Sequence, residues 1–312
     1  MIAFITRIPA LCAVFVILWS SGFVVAKYSL GHSGAFTVLF WRYLLVVIVL
    51  ALLVTLSRQW QQIPPRHLTR HTAVGVLAHA VWLAAVLYAI DLGLSIGLAA
   101  FITALQPIMT GALSARMTGE RVTAREWAGL ALGLMAIAIV IGDGIAFGGS
   151  LLAYALAFVA VIAITLASLV DRGATVEDKL LPTAGEHQRI NADPLLLITF
   201  WHCTASLLIL APLAISIENL DADWNGSFIF AVAWLALVVS LGAYGLMFLL
   251  LRRLPAARVA SLTYLSPPVT ILMAWLILGE TLILTGFIGL IVAAFAVGLT
   301  LTARRPTIRS VH

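Results

Sequence analysis

Two histidines and two cations carry the most conspicuous chemistry in this chain, because each falls inside or at the edge of a long apolar run. His79 lies near the centre of one run and His202 within another. Imidazole exchanges a proton near neutral pH, so a histidine held away from water either couples a process to protons or serves as a neutral hydrogen-bond partner between helices. Both readings stand. No carboxylate sits deep in the apolar runs as an obvious proton carrier, and Glu120 and Glu280 fall at turns, where capping or orienting a loop is the natural role. Lys27 and Arg42 are the basic residues inside the runs. At the centre of a bilayer such a charge costs at least about 2.5–3.5 kcal/mol. Lys27 is near the end of its run, where its stem can reach the surface. Arg42 lies roughly 10 Å beyond the start of its helix at about 1.5 Å per residue, which calls for a protein partner or an aqueous vestibule. An outer vestibule with Lys27 and Arg42, attracting anionic groups, is the expectation.

Prolines and aromatics come next. Pro107 and the pair Pro267-Pro268 sit near the middle of two runs. Each removes a backbone donor and frees the carbonyl four residues earlier, at Thr103, Thr263 and Tyr264. At membrane depth a freed carbonyl belongs against protein or a wet cavity, so these prolines read either as paired gating hinges or as structural bends rescued by threonine hydroxyls. Sites for small solutes are largely apolar with a few placed polar groups. The candidate cavity set is Trp19, Ser21, His79, Trp82, Thr103, Gln106, Tyr244, Thr263, Tyr264 and Ser266. Tyr88 and Tyr154 lie near run ends and serve equally well as interface anchors.

Other chemistry is missing. His67 and His71 have i, i+4 spacing but no neighbouring carboxylate or cysteine in sequence, so a metal site is not expected. Cys12 and Cys203 read as small apolar fillers. No Walker glycine loop, His-Glu-x-x-His or Gly-x-Ser-x-Gly occurs, and no cofactor is expected. A membrane-embedded enzyme would need nucleophile, base or metal ligands converging at one depth, and His79 with Ser21 do not meet that need.

The elements that must position these residues follow from composition. Of 312 residues 62% are hydrophobic and 10% charged, with mean hydropathy +1.10. Apolar stretches of about 20 residues recur, each long enough to cross a hydrocarbon core as a helix. Barrel strands would be half that length and alternate in polarity. The prediction is an all-α polytopic membrane protein with ten spans near 9–30, 35–56, 71–91, 94–116, 125–143, 149–170, 194–216, 227–250, 256–278 and 282–302. The first run follows Arg7 like a signal sequence but is too long for one and is expected to be retained. With both termini cytoplasmic, the inner segments hold 16 of the 18 Lys and Arg residues and no outer loop holds any. That bias sets the orientation, and it accounts for the net charge of +5 without a nucleic-acid partner. A bacterial inner membrane is the expected location.

The chain also repeats itself. Leu105, Pro107 and Thr110 match Leu265, Pro267 and Thr270, and Gly119-Glu120 matches Gly279-Glu280, every pair 160 residues apart. Leu94, Ala100 and Thr103 pair with Leu254, Ala260 and Thr263 at the same offset. Residues 1–147 and 148–312 thus read as two five-span repeats, the odd count inverting the second. Inverted repeats are characteristic of transporters that alternate access to a midplane site. The segment 172–193 reads as a cytoplasmic loop and mobile linker.

At these residues the chain resembles the EamA-type permeases of the drug/metabolite transporter superfamily. The likeness runs through Trp19-Ser20-Ser21-Gly22-Phe23 and Lys27, Trp41-Arg42-Tyr43, Ala104-Leu105-Gln106-Pro107 and Gly119-Glu120. It continues through Ala256-Ala257-Arg258, Tyr264-Leu265-Ser266-Pro267 and Gly279-Glu280, covering nearly the whole chain. The resemblance implies ten helices, a central cavity from spans 1, 3, 4, 6, 8 and 9, and metabolite transport, often efflux. The chain departs from the pattern at Ala163 and Leu166, where such permeases often place Trp and Tyr, and in the length of the 172–193 loop. The reading is a secondary transporter or facilitator exporting amino acids or related small solutes. The alternatives are a multidrug or nucleotide/sugar-type transporter, then an enzyme. A scaffold has no need of inverted symmetry.

Overall fold

The computed structural model of the protein describes residues 8–94, 96–103, 105–106, 109–110, 150–180, 194–251, 253–254, 259 and 261–278. Isolated positions at 113, 124–125, 127–129, 131–132, 135, 288, 291–292 and 295 are described as well. Pro107, Gly119, Glu120, Gly279 and Glu280 lie outside the described residues, as does most of the fifth and tenth expected spans.

Helix dominates because the apolar runs leave backbone groups no water to bond and the i to i−4 ladder satisfies them internally. Among the described residues six helices are long and apolar enough to cross a membrane. They are α1 (Ile8–Leu30), α2 (Ala35–Leu56), α3 (Pro65–Asp91), α5 (Leu151–Leu180), α6 (Leu195–Glu218) and α7 (Gly226–Leu251). Two shorter pieces, α4 (Ile96–Thr103) and α8 (Leu262–Leu278), fall within the expected fourth and ninth spans. Helix starts carry the expected chemistry: Pro65 occupies the first turn of α3, and the Asn225 side chain accepts from the Phe228 amide at 2.9 Å to start α7. Asn219, left-handed at φ 51°, closes α6.

One expectation is corrected. α5 continues past Asp171 to Leu180, so positions 172–180, read as loop, are helical; residues 181–193 lie outside the described set.

Packing inverts the pattern of a soluble protein. On α5 the buried residues are mostly small, Ala153, Ala157, Ala160, Ala163 and Ala167 with Val161, Thr165 and Leu169, while Leu152, Phe158, Ile162 and Leu166 face outward. Small residues let helix backbones approach closely where lipid removes the hydrophobic drive, and the large side chains meet acyl tails. This also places the two departures: Ala163 is packed in the core and Leu166 points out of the bundle. α6 lies along α2, and α3 packs against α5 and α6. One end of the bundle carries Arg58, Arg66 and Arg70; the other carries Asp91, Glu218, Asp221 and Asp223. At the acidic end the Glu218 carboxylate accepts from the Phe36 and Thr37 amides at 3.1 and 2.7 Å, tying the end of α6 to the start of α2.

Two helices change pitch in mid-course. Val76–Val81 of α3 and Trp234–Ala243 of α7 are π-helical. The Ser240 hydroxyl donates to the Leu235 carbonyl five residues back at 3.0 Å, matching that wider register. Adding 160 to the bounds of the first segment gives 236 and 241, inside the second. Such widened turns are uncommon and gather at functional sites.

Candidate translocation site

Between the pitch changes lies an aromatic cluster. Trp19 of α1 stacks on Trp82 of α3 with ring centroids 5.6 Å apart and planes 18° from parallel. Trp19 also meets Tyr244 of α7 at 5.2 Å and Phe15 at 5.6 Å. Trp82 and Tyr244 each stand just after the π-helical stretch of their helix, which sets the angle at which they reach inward.

Two cavities meet at this cluster. The larger extends toward the acidic end between Phe23 and Ala26 of α1, Arg42 of α2, Leu83, Val86 and Ile90 of α3, and Val239 of α7. The smaller is bounded by Ala100, Thr103 and Gln106 on one side and Thr263 and Ser266 of α8 on the other. Trp19, Phe23 and Trp82 line both, so the stacked tryptophans form the shared wall. Thr103 and Thr263, and likewise Gln106 and Ser266, are 160 residues apart and face the same space.

Arg42 is the cation of this site. It is 2% exposed and lines the larger cavity. Its Nε donates to Ser240 Oγ at 2.8 Å, and its guanidinium carbon lies 5.7 Å from the Tyr43 ring centroid. Among the described residues no carboxylate pairs with it. Trp82 Nε1 and the Tyr244 hydroxyl, on the same wall, have no hydrogen-bond partner among the described residues. Each polar group of the larger cavity can therefore donate, the Tyr244 hydroxyl being able to accept as well, and one carries a full positive charge. That set suits a carboxylate or another anionic group.

Other expected residues fall elsewhere. Lys27 is exposed in the last turn of α1 and lines neither cavity. The Ser21 hydroxyl donates to the Leu18 carbonyl at 2.7 Å and accepts from Trp234 Nε1 at 3.0 Å, so it fastens α1 to α7 instead of facing solute. Its neighbour Ser20 meets Ser266 Oγ at 3.2 Å, joining α1 to α8. His79 stands one layer behind the wall, with Nδ1 3.1 Å from the Tyr43 hydroxyl and its ring 4.9 Å from that of Tyr244. Tyr264 is fully buried and lines neither cavity. Thr103 Oγ1 donates to the Ala99 and Ala100 carbonyls, and Gln106 Nε2 donates to Ser168 of α5 at 3.2 Å. Pro267 and Pro268 are buried in the first turn of the α-helical part of α8, directly after a 3₁₀ turn over Leu262–Leu265. One histidine pairing had no sequence signal: His202 Nε2 is 3.3 Å from His71 Nδ1.

Known proteins decide what kind of bundle this is. Residues 7–142 and 183–302 match the EamA-like transporter family. The chain belongs to that family. It is therefore a multi-pass membrane protein of a transporter family. It is 26% identical over 278 residues to a probable amino-acid metabolite efflux pump of Salmonella typhimurium, covering 86% of this chain and 85% of that protein. A solved crystal structure superposes with a TM-score of 0.71 at 18% identity, covering 93% of this chain and 94% of the other, which is a likeness of fold.

Proposed function

We propose that this EamA-like transporter exports amino acids or related carboxylate-bearing metabolites by alternating access, with the solute carboxylate held by Arg42 in the larger cavity. The observation that carries the reading is an aromatic-walled cavity whose charged group is a buried cation with no carboxylate beside it among the described residues. A cation held away from water without a counterion is costly, and an anionic group of the solute relieves that cost. Trp19, Trp82 and Tyr244 supply apolar area for the rest of the solute. The name carried by the Salmonella typhimurium relative agrees with this solute class.

Alternating access is supported by paired features at the 160-residue offset: the two π-helical stretches, and Thr103 with Thr263 around one cavity. These fit ten helices in two inverted five-helix repeats, with Pro107, Pro267 and Pro268 as hinges and the Trp19–Trp82 wall dividing the two sides. The Lys/Arg bias supports a cytoplasmic basic end and cytoplasmic termini; a bacterial inner membrane is the location proposed with it. An aromatic cavity also suits hydrophobic drugs, which is the second reading; Arg42 disfavours those that are cationic.

The deciding experiment is uptake and counterflow in liposomes across a panel of amino acids, nucleosides and drugs, with and without a pH gradient. Saturable movement of amino acids, lost when the carboxylate is replaced by an amide, supports the proposal. Movement confined to cationic drugs overturns it.

A further inference from the structure

Ser240 joins the cation of the larger cavity to the widened turn that aims the cavity's aromatic wall. A serine hydroxyl has one hydrogen to give and lone pairs to accept with. Here the hydrogen goes to the Leu235 carbonyl at 3.0 Å, five residues back, and Arg42 Nε donates to the oxygen at 2.8 Å. In an α-helical turn the same hydroxyl would reach a carbonyl three or four residues back, so the bond to Leu235 belongs to the π register. Both partners are buried, Ser240 at 7% and Arg42 at 2% exposure. In such surroundings a charged donor polarises the hydroxyl and strengthens the bond that the hydroxyl makes in turn.

The next residue of α2 holds the other π stretch. The Tyr43 hydroxyl is 3.4 Å from the His79 carbonyl oxygen and 3.1 Å from His79 Nδ1, inside Val76–Val81. Two consecutive side chains of α2 thus touch the two widened turns. Trp82 and Tyr244, the first residues after those turns, both line the larger cavity. Glycines leave α7 room to turn at this level. A Cβ added at Gly242 would meet nothing nearer than 3.6 Å, and one added at Gly245 nothing within 4 Å.

We infer that Ser240 is a positioning residue that ties solute occupancy to the register of α7: a carboxylate on Arg42 takes the Nε hydrogen from Ser240, the Trp234–Ala243 turn narrows to α-helical pitch, and Tyr244 leaves the Trp19 wall. The inference rests on the reading of Arg42 as the partner of the solute carboxylate. A carboxylate held side-on by a guanidinium uses Nε together with a terminal nitrogen, so solute and Ser240 compete for one hydrogen. Once it is lost, the bond from Ser240 to Leu235 loses the charge that strengthened it, and the wide turn is the rarer pitch. Narrowing it shifts the chain beyond by one residue of register, a rotation of about 100° and a rise of about 1.5 Å. Tyr244 stands first in the part that moves, and its ring, 5.2 Å from that of Trp19, moves with it. The wall opens beside α7 when solute is bound and re-forms when solute leaves.

The test uses the full chain, purified and in liposomes, with L-leucine and L-phenylalanine as probes and their amides as controls. A spin label is placed on G245C, where an added side chain has open space; Cys12 and Cys203 are buried and stay unlabelled. In the otherwise wild-type chain a saturating probe should change the mobility and oxygen accessibility of the label, and the amides should not. S240A should show the probe-bound spectrum without probe and bind probe about 2- to 10-fold more tightly, since one hydrogen bond no longer competes. Its turnover should fall about tenfold, because the wall no longer re-forms between cycles. Tighter binding with slower turnover is a split that damaged packing does not produce. A label at residue 245 that ignores the probe, or S240A with wild-type binding and turnover, overturns the inference and leaves the transport reading standing. Weaker binding together with slower turnover in S240A assigns Ser240 to packing and also overturns it. A wild type that neither binds nor moves either probe overturns the amino-acid reading, and the inference with it.

Discussion

Gly75 of α3 lies against the backbone of His202: a Cβ added at residue 75 would stand 2.6 Å from both the Cα and the carbonyl oxygen of His202. The Ser206 hydroxyl, one turn on, donates to the Gly75 carbonyl at 3.0 Å. A residue without a side chain thus sets the distance between α3 and α6, and with it the 3.3 Å spacing of His71 and His202. Close approach of this kind needs glycine.

Gly75→Ala should therefore push the helices apart, because the obstacle is backbone and not a side chain that swings aside. Overpacking of this kind costs about 1–3 kcal/mol. Thermal unfolding of the detergent-purified protein, followed by loss of the monodisperse peak, should shift down by several degrees. An unchanged melting temperature would show that α3 and α6 slide freely past each other here.

Arg42→Gln keeps a donor near Ser240 but removes the charge. Hydrogen bonds to charged groups are worth about 1.5–3 kcal/mol, so the apparent affinity for carboxylate-bearing solutes should drop by about 10- to 150-fold. Affinity for the matching amides should hardly move. Equal losses for both solute types would mean that Arg42 shapes the cavity without reading charge.

The Glu218 carboxylate accepts two amides at the start of α2, an anion placed on a helix N-terminus. Glu218→Ala should destabilise by about 0.5–2 kcal/mol, the range for a lost N-cap, and Glu218→Gln by less because an amide oxygen still accepts. Gly34→Ala should behave like Glu218→Ala, since a Cβ there overlaps the Glu218 carboxyl. A melting temperature for Glu218→Ala equal to wild type would show that water replaces the cap at no cost.

Hydropathy placed the six long helices of the described residues well because the bilayer length and the polar breaks fix both ends of a span. Its ruler also brought Trp19, Trp82 and Tyr244 to one depth, and the 160-residue register brought Thr103 and Thr263 to one cavity. Depth along a helix does not fix which way a side chain faces. That is why Ser21, expected at the cavity from sequence, joins Trp234 instead. The π-helical stretches were invisible, since a widened turn in a run that is apolar all round leaves no break in periodicity. The His71–His202 pairing joins positions 131 residues apart and depends on the glycine contact between α3 and α6, which no local pattern reports. At 172–180 a polar composition suggested a linker, yet the helix begun in α5 carries through it.

The proline pair in α8 supplies the last prediction. Pro267 and Pro268 lack the amide hydrogens that would bond the Thr263 and Tyr264 carbonyls, and at those two residues the helix tightens into a 3₁₀ turn before resuming as α-helix at Ser266. A 3₁₀ stretch within a helix is a weak point about which the two parts tilt. Thr263 and Ser266 on either side line the smaller cavity, so a tilt there changes its shape directly. Replacing both prolines with Ala restores two donors, favours a continuous α-helix and removes the hinge. Transport rate should fall by about tenfold, a barrier increase of about 1.4 kcal/mol, while equilibrium binding of solute changes little. Pro107→Ala, 160 residues earlier, should act alike if the two halves share the motion. Full turnover in both variants, measured beside unchanged binding, would leave these prolines as packing features and move the hinge to the π-helical stretches of α3 and α7.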